Sequence, residues 1–292
     1  MRKMLAYVFI IACIIVIGGH ITALRCKAEK NEPGPVALKK ISNNLYELLG
    51  GKGANGGFYI GDTAVLVIDA KMDKPSVEQE LAVIKSVTDK PVKYLVNTHS
   101  DGDHTHGNQF FPKGTIIIAH ENCRKEFFVP QRDGSSSHWT EPDLASYVPA
   151  ITYKEKMELW FGDKKVELWY FGVGHTTGDT VVYFPEEKTV FIGDQTFLER
   201  SQLIHAYKGG NSFKHVVALN RMLDALPAEH FCMGHDEMTD REGIQKHISL
   251  MKSMQDKIKE LAAAGKPIDE IKKEFTEEEA RLVEAIFNEI KK

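Results

Sequence analysis

Cysteine is scarce in this 292-residue chain, with four in all, at Cys13, Cys26, Cys123 and Cys232. Cys13 falls inside an apolar N-terminal run, and the remaining three are an odd, sparse set. They support one bridge and one free thiol at most, which excludes a disulfide framework. A charge surplus is also missing. The net charge is -4, and basic side chains are interleaved with acidic ones, so no electrostatic case for nucleic acid arises. Apolar content is ample. At 42% hydrophobic and 27% charged residues, the chain can bury a sizeable core as one large domain plus an appendage, and disorder is excluded.

Even the N-terminal apolar run, Met4 to Ile17, is short for a membrane span. Arg2 and Lys3 precede it, and Gly18, Gly19 and the small-residue step Ile21-Thr22-Ala23 follow, an order that reads as an export signal. Counting on to Leu24 keeps a retained anchor open, and a buried N-terminal helix is the plainer alternative. Residues 1–23 are therefore read as signal peptide or membrane anchor and 24–39 as a linker. The protein is expected outside the cytoplasm, as a periplasmic, secreted or tethered form. Cys26 suggests lipid attachment, but Leu24-Arg25 before it are not the small residues such a site needs.

From residue 40 the chain alternates strand-like and helix-like segments, the pattern of a sheet covered by helices. Short β runs are expected at Asn44 to Leu49, Gly57 to Ile60, Ala64 to Ile68, Val92 to Val96 and Thr115 to Ala119. Val77, Leu81, Val83 and Ile84 recur at helical spacing between Pro75 and Val87. Phe127 to Tyr153 is polar and aromatic and reads as a long loop or loosely helical lid. A second β series follows at Met157 to Trp160, Val166 to Phe171, Thr180 to Phe184 and Thr189 to Ile192, then a helix from Lys214 to Leu226. The tail, 241–292, carries an apolar stripe of Ile244, Ile248, Met251, Ile258 and Leu261. A short helix, Pro267 to Phe275, comes next, and another opens at the capping box Thr276/Glu279. It reads as a docking or homodimerisation appendage.

The stretch Val96 to Asn108, VNTHSDGDHTHGN, places His99, Asp101, Asp103, His104 and His106 directly after an apolar run. Imidazoles and carboxylates in such density suit a borderline-to-hard divalent metal. Three further sites repeat the design. Gly174-His175, Gly193-Asp194 and Gly234-His235 each put a ligand-type residue after glycine at the end of an apolar run. Strand-end loops are where sheets covered by helices carry their sites, so these segments point to one shared mouth. Cys232, three residues before His235, could extend this set, although a small buried apolar role near a strand end is preferred.

On these residues, over roughly Lys40 to Met238, the chain resembles the metallo-β-lactamase superfamily of metal-dependent hydrolases. That family carries HxHxDH after a strand, then a Gly-His, a bridging Asp and a last Gly-His. The resemblance implies an α/β (α+β) fold, a four-layer αβ/βα sandwich of residues 40–240 with a two-metal cleft along one edge. It also implies two divalent ions, zinc first. One would bind His99, Asp101 and His175, the other Asp103, His104 and His235, with Asp194 bridging. Asp103 would orient the nucleophilic water and accept its proton. His106, Asn108, Thr176 and Asp179 are candidates for fixing the ligands' orientation.

One departure stands out. The family's second histidine is Asp101 here, giving HxDxDH. An oxygen donor admits iron or manganese at the first position. Its charge is also expected to weaken Lewis acidity and raise the pKa of a bridging water. Trp139 and Tyr147 in the lid, and His205, Tyr207 and Lys208 after Asp194, are candidate contacts to a small-molecule substrate. The reading is a hydrolase of an amide, ester or related bond. Its rivals are a diiron redox protein, as in the flavodiiron proteins, which carry a carboxylate at this place, and a non-catalytic metal-binding member.

Overall fold

The computed structural model describes residues 34–291. Residues 1–23, read from sequence as signal peptide or anchor, Cys13, Cys26 and the linker residues up to 33 lie outside the described residues. Two sheets organise the chain. The first runs β1 (Ala37–Lys40), β2 (Leu45–Leu49), β3 (Gly56–Ile60), β4 (Val65–Ile68), β5 (Val92–Val96), β6 (Ile116–His120) and β7 (Ile151–Tyr153), hydrogen-bonded in that order. β1 to β4 pair antiparallel and β4 to β7 parallel. Residues 37–39, read from sequence as linker, are edge-strand residues registered on β2.

Parallel strands need crossovers, and α1 (Lys74–Val87) supplies the one between β4 and β5. Its N-cap Asp73 accepts from the Ser76 amide, and Pro75 sits in the first turn, where a missing N–H costs nothing. Val77 and Ile84 are buried on the outer face of the first sheet, against Leu48, Val65, Val67 and Leu95. Next come α2 (Gly102–Thr105) after β5 and α3 (Glu121–Glu126) after β6.

The second sheet contains β8 (Lys156–Phe161), β9 (Lys164–Trp169), β10 (Val181–Phe184), β11 (Thr189–Phe191), β12 (His230–Cys232) and β13 (Thr239–Asp240), in the spatial order 13-12-11-10-9-8. Period-two alternation sends one set of its side chains inward. Val166, Leu168, Val182, Phe184, Phe191 and Cys232 meet Leu45, Tyr59, Leu66, Ile68, Val96 and Ile118 of the first sheet in a shared core. Cys232 is thus an interior apolar residue, 2% exposed.

The outer face of the second sheet is covered by α4 (Ser212–Ala225), α5 (Arg241–Ala263), α6 (Ile268–Ile271) and α7 (Ala280–Ile290). The tail's stripe is therefore occupied by the chain itself: Ile244, Ile248, Met251 and Ile258 pack with Leu219, Met222, Phe231, Val283 and Ile286 in one cluster. The Glu279 carboxylate caps Thr276 through both its amide and its hydroxyl. Helices outside two facing sheets make the four-layer sandwich that the resemblance implied.

Phe127 to Tyr153 takes the loosely helical form, with 3-10 turns at His138–Thr140 and Pro142–Tyr147. Trp139 is 4% exposed and packs with Ala119, Cys123, Phe127 and Val148. The Arg124 guanidinium donates to the Pro149 carbonyl, and the segment ends as strand β7, paired parallel with β6. The functional consequence of the fold is positional. The chain leaves β4, β5, β9, β11 and β12 toward one rim, and each exit delivers at least one polar side chain to it.

Candidate metal centre

His99, Asp101, Asp103 and His104 follow β5, with Asp101 at the N-cap of α2. His175 lies in the turn between β9 and β10, Asp194 follows β11, and His235 follows β12. These residues, scattered along the chain, form two groups that share Asp194. One is His99, Asp101, His175 and Asp194, the other Asp103, His104, Asp194 and His235, and within each the ligand-type atoms all lie within 4.8 Å of one another. Every metal ligand expected from the sequence is brought to this rim.

Individual distances show the convergence. His175 Nε2 is 3.1 Å from Asp101 Oδ2, and His99 Nε2 is 3.5 Å from the same oxygen. Asp194 Oδ2 lies 3.9 Å from His99 Nε2 and 3.3 Å from His235 Nε2, while its Oδ1 lies 3.0 Å from His104 Nε2. His235 Nε2 is also 3.0 Å from Asp103 Oδ2. Gly234 permits this closeness, because a Cβ there would fall 2.2 Å from Asp194 Oδ1 and 2.8 Å from the His104 ring.

The ring nitrogens facing away from the centre are anchored. His175 Nδ1 donates to the Leu203 carbonyl at 2.7 Å, and His104 Nδ1 donates to Asp69 Oδ2 at 2.8 Å. Asp69 also accepts from the Thr98 amide at 2.7 Å and the Thr98 hydroxyl at 2.6 Å, and that hydroxyl lies 3.1 Å from His99 Nδ1. One buried carboxylate thus orients His104 directly and His99 through Thr98, which leaves both Nε2 lone pairs for a cation. The sequence reading missed Asp69. Its signal was only an acid ending the β4 run; in the structure it has a left-handed φ of 57°, which turns its side chain back beneath the ligand loop.

His99 Nε2, His104 Nε2 and Asp194 Oδ1 are buried and make no hydrogen bond. Buried polar atoms without partners are rare and cost about 1–3 kcal/mol each. Three of them aimed at one centre, among carboxylates and imidazoles, fit a pair of divalent cations.

Electrostatics agree. Burial alone would raise the Asp101 and Asp194 carboxyls, yet both are held well below the usual carboxylate range, Asp101 by His99, His175 and His205 and Asp194 by His104, His235 and His99. Burial likewise opposes the shift at Asp103, which the His235 hydrogen bond brings down to about 2. His175 and His235 are pushed up to about 9, burial being outweighed by the Asp101 carboxylate in one case and by Asp103 and Asp194 in the other. Without metal, His175 and His235 hold protons that a cation displaces, so binding releases protons.

The supporting candidates divide. Asp179 accepts from the Thr176 amide and, at 2.6 Å, its hydroxyl, which braces the turn that carries His175. Asn108 pairs reciprocally with Asn97 behind the ligand loop. The His106 ring faces His138 and Trp139 instead of a ligand. Beside the two ligand groups opens a cleft of about 470 Å³ whose lining includes Asp103, Trp139, His205, Tyr207 and Lys208. Tyr207 is 39% exposed there and Trp139 forms a wall. Tyr147 only offers its carbonyl to Asn108. Lys208 is no solvated lysine: its ammonium sits 2.6 Å from Asp101 Oδ1 and 2.9 Å from Ser100 Oγ.

Known proteins match this arrangement. The family model described as "Metallo-beta-lactamase superfamily" matches residues 49–235. The chain is 31% identical over 141 residues to the 2,4-dinitroanisole O-demethylase subunit alpha of Nocardioides sp. (strain JS1661), a match covering 47% of this chain and 39% of that one. It is 24% identical over 254 residues to a metallo-beta-lactamase type 2 of Elizabethkingia meningoseptica, covering 78% and 90%. Among solved structures, a metallo-beta-lactamase from Pontibacter korlensis superposes with TM-score 0.61 at 21% identity over 74% of this chain and 99% of its own. The DIM-1 metallo-beta-lactamase superposes with TM-score 0.62 at 18% identity over 76% and 99%. With the family model spanning most of the chain, and the ligand order and the fold both in place, the chain belongs to the metallo-β-lactamase superfamily.

Proposed function

We propose that this chain is a metal-dependent hydrolase that cleaves an amide, ester or related bond of a small molecule in the cleft. The observation that carries the proposal is the pair of ligand groups sharing Asp194, beside a cleft with room for a substrate. Bound there, two divalent ions supply a water acidified toward neutral pH and a Lewis-acid contact for the substrate's carbonyl or phosphoryl oxygen. The protein's part is positional and protonic. His99 and His104, locked through Asp69, and His175, locked by Leu203, fix the centre. Asp103 reaches the cleft with its Oδ2 on His235; it orients the attacking water and takes its proton. Trp139 and Tyr207 shape the space beside the reacting bond.

Zinc is the first choice for both positions, and the Asp101 oxygen admits iron or manganese at the first. The order Arg2-Lys3, Met4 to Ile17, Ile21-Thr22-Ala23 supports an exported protein, which fractionation of expressing cells would check.

Metal analysis of protein purified without added metal, coupled to a substrate panel, tests the reading. β-Lactams, lactones, thioesters and phosphodiesters cover the bond classes, and the O-demethylase relative adds an aryl methyl ether. Hydrolysis of one class, abolished by chelation and restored by metal, is expected. Two bound ions without turnover of any class would overturn the hydrolase reading, and bound iron with reduction of oxygen or nitric oxide would install the redox reading in its place.

A further inference from the structure

Asp101 is engaged on both oxygens. Oδ1 receives the Lys208 ammonium at 2.6 Å. Oδ2 receives His205 Nε2 at 2.7 Å and faces His175 Nε2 at 3.1 Å. The Lys208 side chain is 8% exposed and Asp101's is 12%, so this ion pair is largely withdrawn from solvent at the edge of the first metal position. Lys208 also donates to Ser100 Oγ, and that hydroxyl donates to Glu126 Oε2, whose other oxygen accepts from the Thr177 amide at 2.8 Å. Lys208 is therefore braced between the loops that carry Asp101 and His175. The turn after it is built for close approach: Gly209 adopts φ 86°, and a Cβ on Gly210 would fall 2.3 Å from the His175 carbonyl oxygen.

From this geometry we infer that Lys208 is the charge partner of Asp101, so that the Asp101–Lys208 pair together replaces one neutral imidazole at the first metal position. The inference rests on the two-metal reading. Two divalent cations bring four positive charges, and Asp101, Asp103, Asp194 and a bridging hydroxide remove all four. The Lys208 ammonium restores one, which is the balance a histidine at position 101 would give by itself. The weakened Lewis acidity expected from Asp101 alone is thereby cancelled. Lys208 is a positioning residue as well: by holding Oδ1 it leaves Oδ2 directed at His99 and His175.

Opposite-sign coupling between the two positions tests this, read as metal affinity in a chelator competition on the full chain and not as turnover. In Asp101→His, the ammonium is left unpaired beside a dication, and affinity at the first position falls on the order of tenfold or more. Adding Lys208→Met restores it, whereas adding Lys208→Arg, which keeps the charge, does not. Asp101→Asn makes the same comparison with little change of shape and serves if the histidine variant does not fold. The second position, formed by Asp103, His104, Asp194 and His235, keeps its affinity throughout and confirms an intact fold.

Wild-type affinity at the first position in Asp101→His and in Asp101→Asn would overturn the inference, as would failure of Lys208→Met to rescue either. A chain that binds two ions but hydrolyses nothing would defeat the proposed function and leave this result standing.

Discussion

Asp69→Asn isolates the anchoring carboxylate with almost no change in shape. Asparagine tolerates the left-handed conformation at this position, where φ is 57°, so backbone strain does not enter. The retained carbonyl still accepts from the Thr98 amide, a 2.7 Å contact in the native chain. The other oxygen becomes an NH2 group facing two donors, His104 Nδ1–H at 2.8 Å and the Thr98 hydroxyl at 2.6 Å. The imidazole escapes that clash by moving its proton to Nε2, the atom 3.0 Å from Asp194 and aimed at the second metal. Holding the productive tautomer then costs about 1–3 kcal/mol, roughly a ten- to hundredfold loss of affinity at the second position. The first position, reached only through Thr98 and His99, loses less. Competition against a chromophoric chelator, titrating zinc into metal-free protein, resolves the two steps. Wild-type affinity at the second position in Asp69→Asn would refute the anchoring role.

Three further perturbations follow from the same geometry. Gly234→Ala places a methyl 2.2 Å from Asp194 Oδ1, so equilibrium dialysis should show fewer than two ions per chain while the circular dichroism spectrum stays native; full occupancy would contradict the packing. Asp103→Asn leaves the first ligand group untouched and keeps an amide oxygen facing the second position, but removes the proton acceptor. Turnover of whichever substrate the panel identifies should drop by about two orders of magnitude or more with metal still bound, and a loss under tenfold would remove Asp103 from that role. Buried His247 is pushed down to about 4 from an ordinary 6.5, chiefly by burial, with the Phe197 backbone contact opposing. A lowered imidazole contributes stability that is complete above pH 6.5 and lost as pH falls through about 4, on the order of 3 kcal/mol across that window. Urea melts of His247→Leu should therefore show a flatter dependence between those pH values than the native chain, and identical slopes would rule this out.

The ligands were legible in the sequence because each follows an apolar strand, and the strands of the two facing sheets deliver their exits to one rim. Val92–Val96 and Lys74–Val87 were equally readable, since alternation, helical spacing and the Pro75 start all agreed there. What escaped depends on contacts between distant segments. Asp69 has no local motif, and only the left-handed turn after β4 brings it under Thr98 and His104. Lys208 was readable as a residue near the site, but its pairing with Asp101 depends on Gly209 and Gly210 laying its turn on the His175 backbone. β1 and β7 are edge strands, short and weakly patterned, defined by pairing with β2 and β6 more than by their own residues. The tail's stripe is readable as amphipathic, but its partner, the outer face of β10 to β12, is a fact of topology.

The account stands on two cations held around Asp194. Anomalous diffraction from crystals grown with zinc measures this directly. The expected result is two peaks per chain, one among His99, Asp101 and His175 and one among Asp103, His104 and His235, with the Asp194 carboxylate reaching both. A single peak away from Asp194, or none at a zinc concentration that saturates binding in solution, would contradict it.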